Sequence, residues 1–191
     1  MVLSLHSKYF RRLCDGSFKG STERKITLHD DPFFAVKATF HYLYEFNYAA
    51  QALLPLEAST GLADLATCYE LHAQVFSIAE KCDILGLNDK ALANFQITMY
   101  GSVEEQDAEA VALVSATRHV YQVAPPNDRR LRDELMLAWK EDDWLLLKNA
   151  QASDFEKLLA EIPESAADLV AAAIGARVGG AINHRLLTQM W

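Results

Sequence analysis

The chain has 191 residues, of which 51% are hydrophobic and 23% are charged, which is the balance of a globular protein that buries a core. Its formal net charge of −8 disfavours a protein whose main task is to bind nucleic acid, because phosphate contacts need a cationic surface. Three cysteines, Cys14, Cys68 and Cys82, form no closely spaced even set and favour a reducing compartment, the cytoplasm or the nucleus.

Neither a signal peptide nor a membrane span is predicted. The opening MVLSLHSKYFRR lacks a long apolar core and a small-residue cleavage site. The apolar run Leu169–Ile182 is interrupted by Arg177 and is too short to cross a bilayer. We therefore expect an intracellular protein that has no membrane partner.

The first elements are a short helix and a short strand. Ser7 is predicted to cap the helix that holds Tyr9 and Phe10. The segment Lys25–Leu28 is predicted as a strand. The acidic-Pro sequence that ends at Pro32 then indicates a helix start, with an aspartate carboxylate accepting from the first backbone N–H groups.

The next helix carries an unusual number of aromatic side chains. Phe33, Phe40 and Leu43 recur at helical spacing, so we predict that this helix is buried at the centre of a first domain. The run that follows holds more rings than one helix face can bury. Core filling is the alternative for most of them, but Tyr44, Phe46 and Tyr48 are predicted to face a protein partner.

The order SKYFRRLCDGSFKGSTERKITLHDDPFFAVKATFHYLYEFNY, followed by LHAQVFSIAEKCDILGL, resembles the BTB (POZ) fold in its fungal form. The resemblance spans residues 3–95, about half of the chain, and is specific only in combination. The matching positions are Ser7, Tyr9, Phe10, Phe18, Lys19, Ser21, Ile26, Leu28, Asp31, Phe34, Tyr42, Leu43, Tyr44, Val75, Ala79, Lys81, Asp83 and Leu87.

The resemblance implies an α+β fold that is predominantly helical, with a partial BTB/POZ domain over residues 1–101 and a helical extension over residues 102–191. The first half of the family's fold, which builds most of its homodimer interface, has no counterpart before Leu3. A coding sequence that begins further upstream is the favoured explanation, and a cover supplied by the C-terminal helices is the alternative. Self-association is therefore left open.

The remaining segments are predicted to be mostly helical. Residues 49–66 are predicted as a connector, because they hold proline, glycine and a Ser-Thr pair. Helices are predicted over residues 69–82, 89–100, 107–123, from residue 127 or 128 to 139, and 165–187, and a capping box at Ser153 and Glu156 indicates one more.

The resemblance implies a non-catalytic protein–protein interaction module, an adaptor or a self-associating scaffold. Some members of the family dock a cullin through a hydrophobic-x-Glu element, which matches Phe18-Lys19-Gly20. Phe18 and Lys19 are therefore candidate partner-binding residues, while Gly20 stands where the glutamate is expected and disfavours cullin docking. A transcription-linked regulator that acts through other proteins, and an enzyme with an unrecognised helical site, are the rival interpretations.

No catalytic, cofactor or metal site is predicted. His29 and the two aspartates after it are adjacent at a helix start, where side chains diverge, and capping accounts for the acids. Cys68 and His72 lie one helical turn apart, but a buried cysteine and a core histidine are commoner than a half-site for a metal. Nucleophile elbows and phosphate-binding glycine loops are lacking as well.

Overall fold

The structure is a computed structural model, and it describes residues 5–15, 31–53, 62–84, 86–101, 106–141 and 152–178. This part of the chain is predominantly helical and contains no β-strand, so the predicted α+β class is wrong. Its one trace of extended pairing is an isolated antiparallel bridge between Ser7 and Ile84. The strand predicted over Lys25–Leu28 lies outside the described residues.

Nine helices are described. They are α1 (Lys8–Asp15), α2 (Phe33–Glu45), α3 (Ala50–Leu53), α4 (Leu62–Lys81), α5 (Leu87–Gly101), α6 (Gln106–Val123), α7 (Arg130–Glu141), α8 (Ala152–Glu161) and α9 (Pro163–Val178). None of these helices combines the length and the apolarity that crossing a membrane requires.

Helix α4 is the centre of the molecule, and it packs against α2, α3, α5 and α6. Its side chains are buried on nearly every side, including Tyr69, Val75 and Phe76, none of which exposes any measurable surface. A helix of mostly apolar residues is expected in such a position. The prediction that the Phe33 helix is the buried centre is therefore wrong, because α4 occupies that place.

One continuous cluster of buried side chains runs from Phe10 in α1 to Ala138 in α7. It includes Phe95 of α5 and Leu113 of α6, which lie on opposite sides of the predicted domain boundary at residues 101 and 102. The division into two domains stays a prediction. What the packing shows is that α6 buries its apolar face directly on α4.

Helix α1 is attached to the end of α4 through Ser7. The Ser7 hydroxyl donates a short hydrogen bond to the carbonyl of Cys82, and it accepts one from the backbone N–H of Phe10 at 3.1 Å. The second contact is a helix N-cap, so the predicted capping role of Ser7 is confirmed. Phe10 is consequently held in the core, with 2% of its surface exposed.

The last helix is joined to α6 and α7 by a polar contact around one carboxylate. Tyr121 donates a hydrogen bond to Asp168 at 2.6 Å, and Arg129 pairs with the same carboxylate at 2.9 Å. The guanidinium of Arg132 lies 4.7 Å from the centre of the Tyr121 ring. Asp168 therefore links α9 to the two helices beneath it.

The predicted connector over residues 49–66 is shorter in the structure. Helix α3 occupies Ala50–Leu53, and α4 already begins at Leu62, seven residues before the predicted start at Tyr69. The segment from Leu62 to Thr67 is rich in leucine and alanine, whose helix propensity outweighs the turn signals just before it. Ser153, predicted to cap a helix, lies within α8 instead.

Candidate functional site: an exposed aromatic face on α2

Helix α2 has one side in the core and an apolar side that faces outward. Ala35 and Ala38 are fully buried, and Leu43 exposes 2% of its surface. The opposite side carries Phe33, Lys37, Phe40 and Tyr44, which lie within about 60° of the helix circumference at roughly 100° per residue. We call these four residues the aromatic face.

The rings of the aromatic face are accessible along the whole helix. Phe33 is 71% exposed, Phe40 is 38% exposed and Tyr44 is 68% exposed. Phe34 lies edge-on to Phe33, with ring centroids 5.4 Å apart, and this contact orients the exposed ring. Single apolar residues on a surface are ordinary, but several large exposed rings on one side of a helix are typical of an interaction surface.

The small side chains on one side of α2 explain why that side is buried. Ala35 and Ala38 let the backbone of α2 approach α4 closely, whereas a phenylalanine at either position would hold the two helices apart. The large rings therefore project away from the core. This arrangement explains why the predicted burial of Phe33 and Phe40 is wrong.

Phe46 is a further exposed ring just beyond the C-terminal end of α2. Its φ of 55° lies in the left-handed region, and its N–H donates to the carbonyl of Tyr42 at 2.8 Å. A side chain in that region costs about 1–2 kcal/mol relative to glycine, which is the usual residue at helix ends of this kind. The ring is 62% exposed and lies edge-on to His6 and Tyr42.

The N-terminal end of α2 is anchored by an ion pair. Both carboxylate oxygens of Asp31 accept from the Lys81 ammonium, at 2.8 and 3.0 Å. The N-cap residue is Pro32, and no side chain caps the helix. The capping contact predicted for an acid at this start is thus replaced by an ion pair that fixes α2 to the end of α4.

A close approach to the turn after α4 positions the last turn of α2. Gly86 has a φ of +82°, and a Cβ added to it would stand 2.7 Å from the hydroxyl oxygen of Tyr42. Only glycine accommodates both the backbone angle and the tyrosine without rearrangement. Helix α2, which bears the aromatic face, is therefore closely packed against the turn after α4.

Tyr48, which the sequence predicts to face a partner, is placed in the core. It is 4% exposed, and its hydroxyl lies 2.9 Å from Nδ1 of His72. The Thr98 hydroxyl lies 3.3 Å from Nε2 of the same ring and donates its own hydrogen to the carbonyl of Asn94 at 2.9 Å. The chain after Phe46 turns inward to make this contact, so Tyr48 does not continue the exposed row.

These contacts define the protonation of His72. Because Thr98 uses its one hydroxyl hydrogen on Asn94, Nε2 of His72 donates to Thr98, and Nδ1 accepts from Tyr48. Burial, with a smaller effect from Lys90, lowers the pKa of His72 from 6.5 to about 4, so the ring is neutral. Burial likewise raises the pKa of the Tyr48 hydroxyl.

Both ring nitrogens of His72 are thus engaged in hydrogen bonds, which accounts for this histidine without a metal shared with Cys68. Cys68 and Cys82 are buried, and neither is part of a disulfide. Across the described segments, no group of three or more histidine, cysteine, aspartate or glutamate side chains could hold a metal ion.

Of the five predicted partner-binding residues, Tyr44 and Phe46 are exposed, and Tyr48 is buried. Phe18 and Lys19 lie outside the described residues, as do Gly20, His29 and Asp30. The sequence analysis missed Phe33 and Phe40 as surface residues. Periodicity gave no signal for them, because both sides of α2 are apolar and only the packing of α4 against Ala35 and Ala38 decides which side is buried.

Comparisons with protein-family models, with curated proteins and with solved structures each gave no match for this chain.

Proposed function

We propose that this chain is a non-catalytic protein–protein interaction module, and that the aromatic face of α2, with Phe46, is its binding surface. The carrying observation is the exposure of Phe33, Phe40 and Tyr44 along a single helix whose other side is packed in the core, with Phe46 exposed just beyond its end. Because the backbone of this surface is already ordered before binding, association costs less conformational entropy.

The chemistry of the surface suits a protein partner. Aromatic side chains carry much of the binding energy in protein interfaces, because they bury a large area with few rotatable bonds. Lys37 and the Tyr44 hydroxyl add polar groups that can pair at the rim. A small molecule, in contrast, binds in a concave site, whereas this surface is the outer side of a helix.

The surroundings of His72 support a structural role for this buried histidine rather than a catalytic one. His72 is held in its neutral form between Tyr48 and Thr98, in the core and away from solvent. Its hydrogen-bonding capacity is fully used inside the chain, so it serves to join α4 with α5 and with the segment after α2.

Membership of the BTB family, an adaptor role on a cullin and a transcription-linked role stay predictions from the resemblance. The cullin element at Phe18-Lys19-Gly20 lies outside the described residues. We further propose that the chain acts inside the cell, in the cytoplasm or the nucleus, and the buried, reduced Cys68 and Cys82 support this location.

The proposal is tested with two matched double variants of the full chain. Phe33→Glu with Tyr44→Glu places two carboxylates on the aromatic face, and Ile97→Glu with Tyr100→Glu places two on exposed positions of α5. Each tagged chain is expressed in cells, and the proteins that co-purify with it are quantified by mass spectrometry against the unsubstituted chain.

We expect the aromatic-face variant to lose its bound proteins at least tenfold, because each carboxylate would have to be desolvated in the interface. The α5 variant should retain them. Equal retention by both variants, with both chains folded by circular dichroism, would show that the aromatic face is not the binding surface.

A further inference from the structure

The outward side of α9 is apolar over about two turns. The exposed side chains on this side are Ala167, Val170, Ala171 and Ile174. Val170 and Ile174 each expose 58% of their surface. The four positions lie within about 100° of the helix circumference, at roughly 100° per residue, and none of the polar residues between positions 163 and 174 falls in that range. We call these four residues the α9 face.

Contacts on the opposite side fix the orientation of α9. Leu169 and Ala172 pack against the main cluster of buried side chains. Between them and the exposed side, the Asp168 carboxylate accepts from Tyr121 and pairs with Arg129. Turning α9 so that the α9 face is buried would break these contacts. A helix that is apolar on both sides is expected to have neighbours on both sides, so the α9 face is a docking surface for a further element.

The sequence directly after α9 carries an apolar pattern that suits this surface. Ile182, Leu186 and Met190 recur every four residues, which places them on one side of a helix. His184 and Thr188 fall on the opposite side of the same helix. Residues 179–191 lie outside the described residues, so this pattern is a prediction from the sequence.

The connection between the two segments permits an antiparallel arrangement. Gly179 and Gly180 follow the described part of α9, and glycine accepts the backbone angles that reverse a chain after a helix. Two residues are sufficient to join antiparallel helices. At about 1.5 Å per residue, the ten residues 181–190 span about 15 Å, which is also the approximate length of α9 from Ala167 to Val178.

We propose that residues 181–190 form a helix that docks antiparallel on the α9 face of the same chain. Leu186 then contacts Ile174, and Met190 contacts Val170. The small side chain of Ala171 beside them lets the two helix backbones approach closely. This surface is separate from the aromatic face, and the proposal does not depend on the proposed function.

The short connection favours this segment over any separate partner. A segment that is tethered by two residues is present at an effective concentration on the order of millimolar, whatever the concentration of the protein. A separate protein, or a second copy of the chain, lacks this advantage. The docked segment removes the α9 face from solvent, and a competing partner has to displace it before binding there.

The test is a crosslink that distinguishes contacts within one chain from contacts between chains. The photoreactive residue benzoylphenylalanine replaces Ile174 in one version of the full chain and Val170 in a second version. Both positions are exposed, so the substitutions leave the core unchanged. Each version is mixed with an equal amount of the same protein labelled with ¹⁵N, irradiated and digested, and the attachment points are mapped by mass spectrometry.

We expect position 174 to attach near Leu186 and position 170 to attach near Met190. Each crosslinked pair should be wholly labelled or wholly unlabelled, since both halves come from one chain. Leu186→Glu should lower the crosslink yield about tenfold, because its carboxylate would have to be desolvated on the α9 face. Thr188→Glu is the matched control, which places the same charge on the opposite side of the segment and should leave the yield unchanged.

Three results would overturn the proposal. Pairs that join labelled to unlabelled peptides would show that a second copy occupies the α9 face. Attachment to a different protein when the chain is irradiated in cells, without attachment to residues 181–190, would assign the surface to an external partner. Equal yields from Leu186→Glu and Thr188→Glu, or no attachment to residues 181–190 from either position, would show that this segment does not dock there.

Discussion

The hydroxyl of Tyr48 donates a hydrogen bond to Nδ1 of His72 across 2.9 Å in the core of the molecule. The contact joins the segment that follows α2 to the middle of α4, and Thr98 extends it to α5. Helix α2, which bears the aromatic face, is therefore fixed to the core at both ends. The Tyr48–His72 contact fixes its C-terminal end, and the Asp31–Lys81 ion pair fixes its N-terminal end.

This buried histidine predicts a specific loss of stability in mild acid. Because burial first, and Lys90 second, lower the pKa of His72 to about 4, the folded chain keeps the ring neutral while the unfolded chain takes up a proton below about pH 6.5. Stability is complete above that pH and falls as the pH drops towards 4. We expect about 2 kcal/mol of loss between pH 7 and pH 5, measured by urea unfolding.

His72→Gln is the control, because glutamine has no titration in this range. The substituted chain should lose less stability between pH 7 and pH 5 than the unsubstituted chain does, by about the same 2 kcal/mol. Equal pH dependence in the two proteins would show that His72 is not the source of the effect.

The stability of the chain should also be sensitive to substitution of Gly86. Gly86→Ala introduces a Cβ at a φ of +82° and 2.7 Å from the Tyr42 hydroxyl oxygen. We expect a loss of about 1–3 kcal/mol in the free energy of unfolding, measured by chemical denaturation.

Two terms contribute to that loss, and a double variant separates them. With Tyr42→Phe the clashing oxygen is removed, and the next atom of the ring, Cζ, lies 3.9 Å from the added Cβ. The double variant should therefore recover part of the loss and retain only the backbone strain. Strict additivity of the two single substitutions would contradict the close approach.

The helical elements could largely be predicted from the sequence, and their orientation could not. Helix α6 was predicted over residues 107–123 and spans Gln106–Val123, because valine, leucine and alanine recur there at helical spacing. Helix α2 was also predicted, but it is apolar on both sides, so periodicity alone could not show which side is buried. The answer depends on Ala35 and Ala38, whose small size matters only once α4 is packed against them.

Tyr48 shows the same limit at the level of one residue. Its place in the core depends on His72, which lies 24 residues away in the sequence, and on Thr98 beyond it. No local pattern around Tyr48 signals these partners. Ser7 was predicted correctly, because an N-cap is a contact within a single turn.

Substitution of Phe46 should weaken binding of the partner while it changes the stability of the chain little. Phe46→Gly relieves the strain of a left-handed φ, worth about 1–2 kcal/mol, and removes ring contacts with His6 and Tyr42 worth about 0.5–1.5 kcal/mol each. The two effects oppose each other, so the free energy of unfolding should change by no more than about 2 kcal/mol. Binding of the partner should nevertheless weaken, and a large loss of stability with unchanged binding would contradict this assignment.

Asp168 is predicted to hold α9 in place. Burial opposes ionisation of this carboxyl, yet hydrogen bonds from Tyr121 and Arg129 lower its pKa below the ordinary value. Asp168→Asn should cost about 1–3 kcal/mol and speed amide hydrogen exchange across α9. This stabilisation is present above about pH 4 and is lost as the pH falls through the lowered pKa.

Asp154→Asn is the matched control, because Asp154 is an exposed aspartate that pairs with Lys157 at the surface of α8. It should leave the exchange of α9 unchanged. Similar acceleration of α9 exchange in both variants would show that the contact of Asp168 with Tyr121 and Arg129 is not what holds the helix.

The central claim, that the aromatic face is a protein-binding surface, is tested most directly by hydroxyl-radical footprinting of the assembled and the dissociated chain. The account predicts that Phe33, Phe40 and Tyr44 lose reactivity on assembly, while Ile97 and Tyr100 on α5 keep theirs. Unchanged reactivity of Tyr44, with protection appearing at Ile97 and Tyr100 instead, would contradict it.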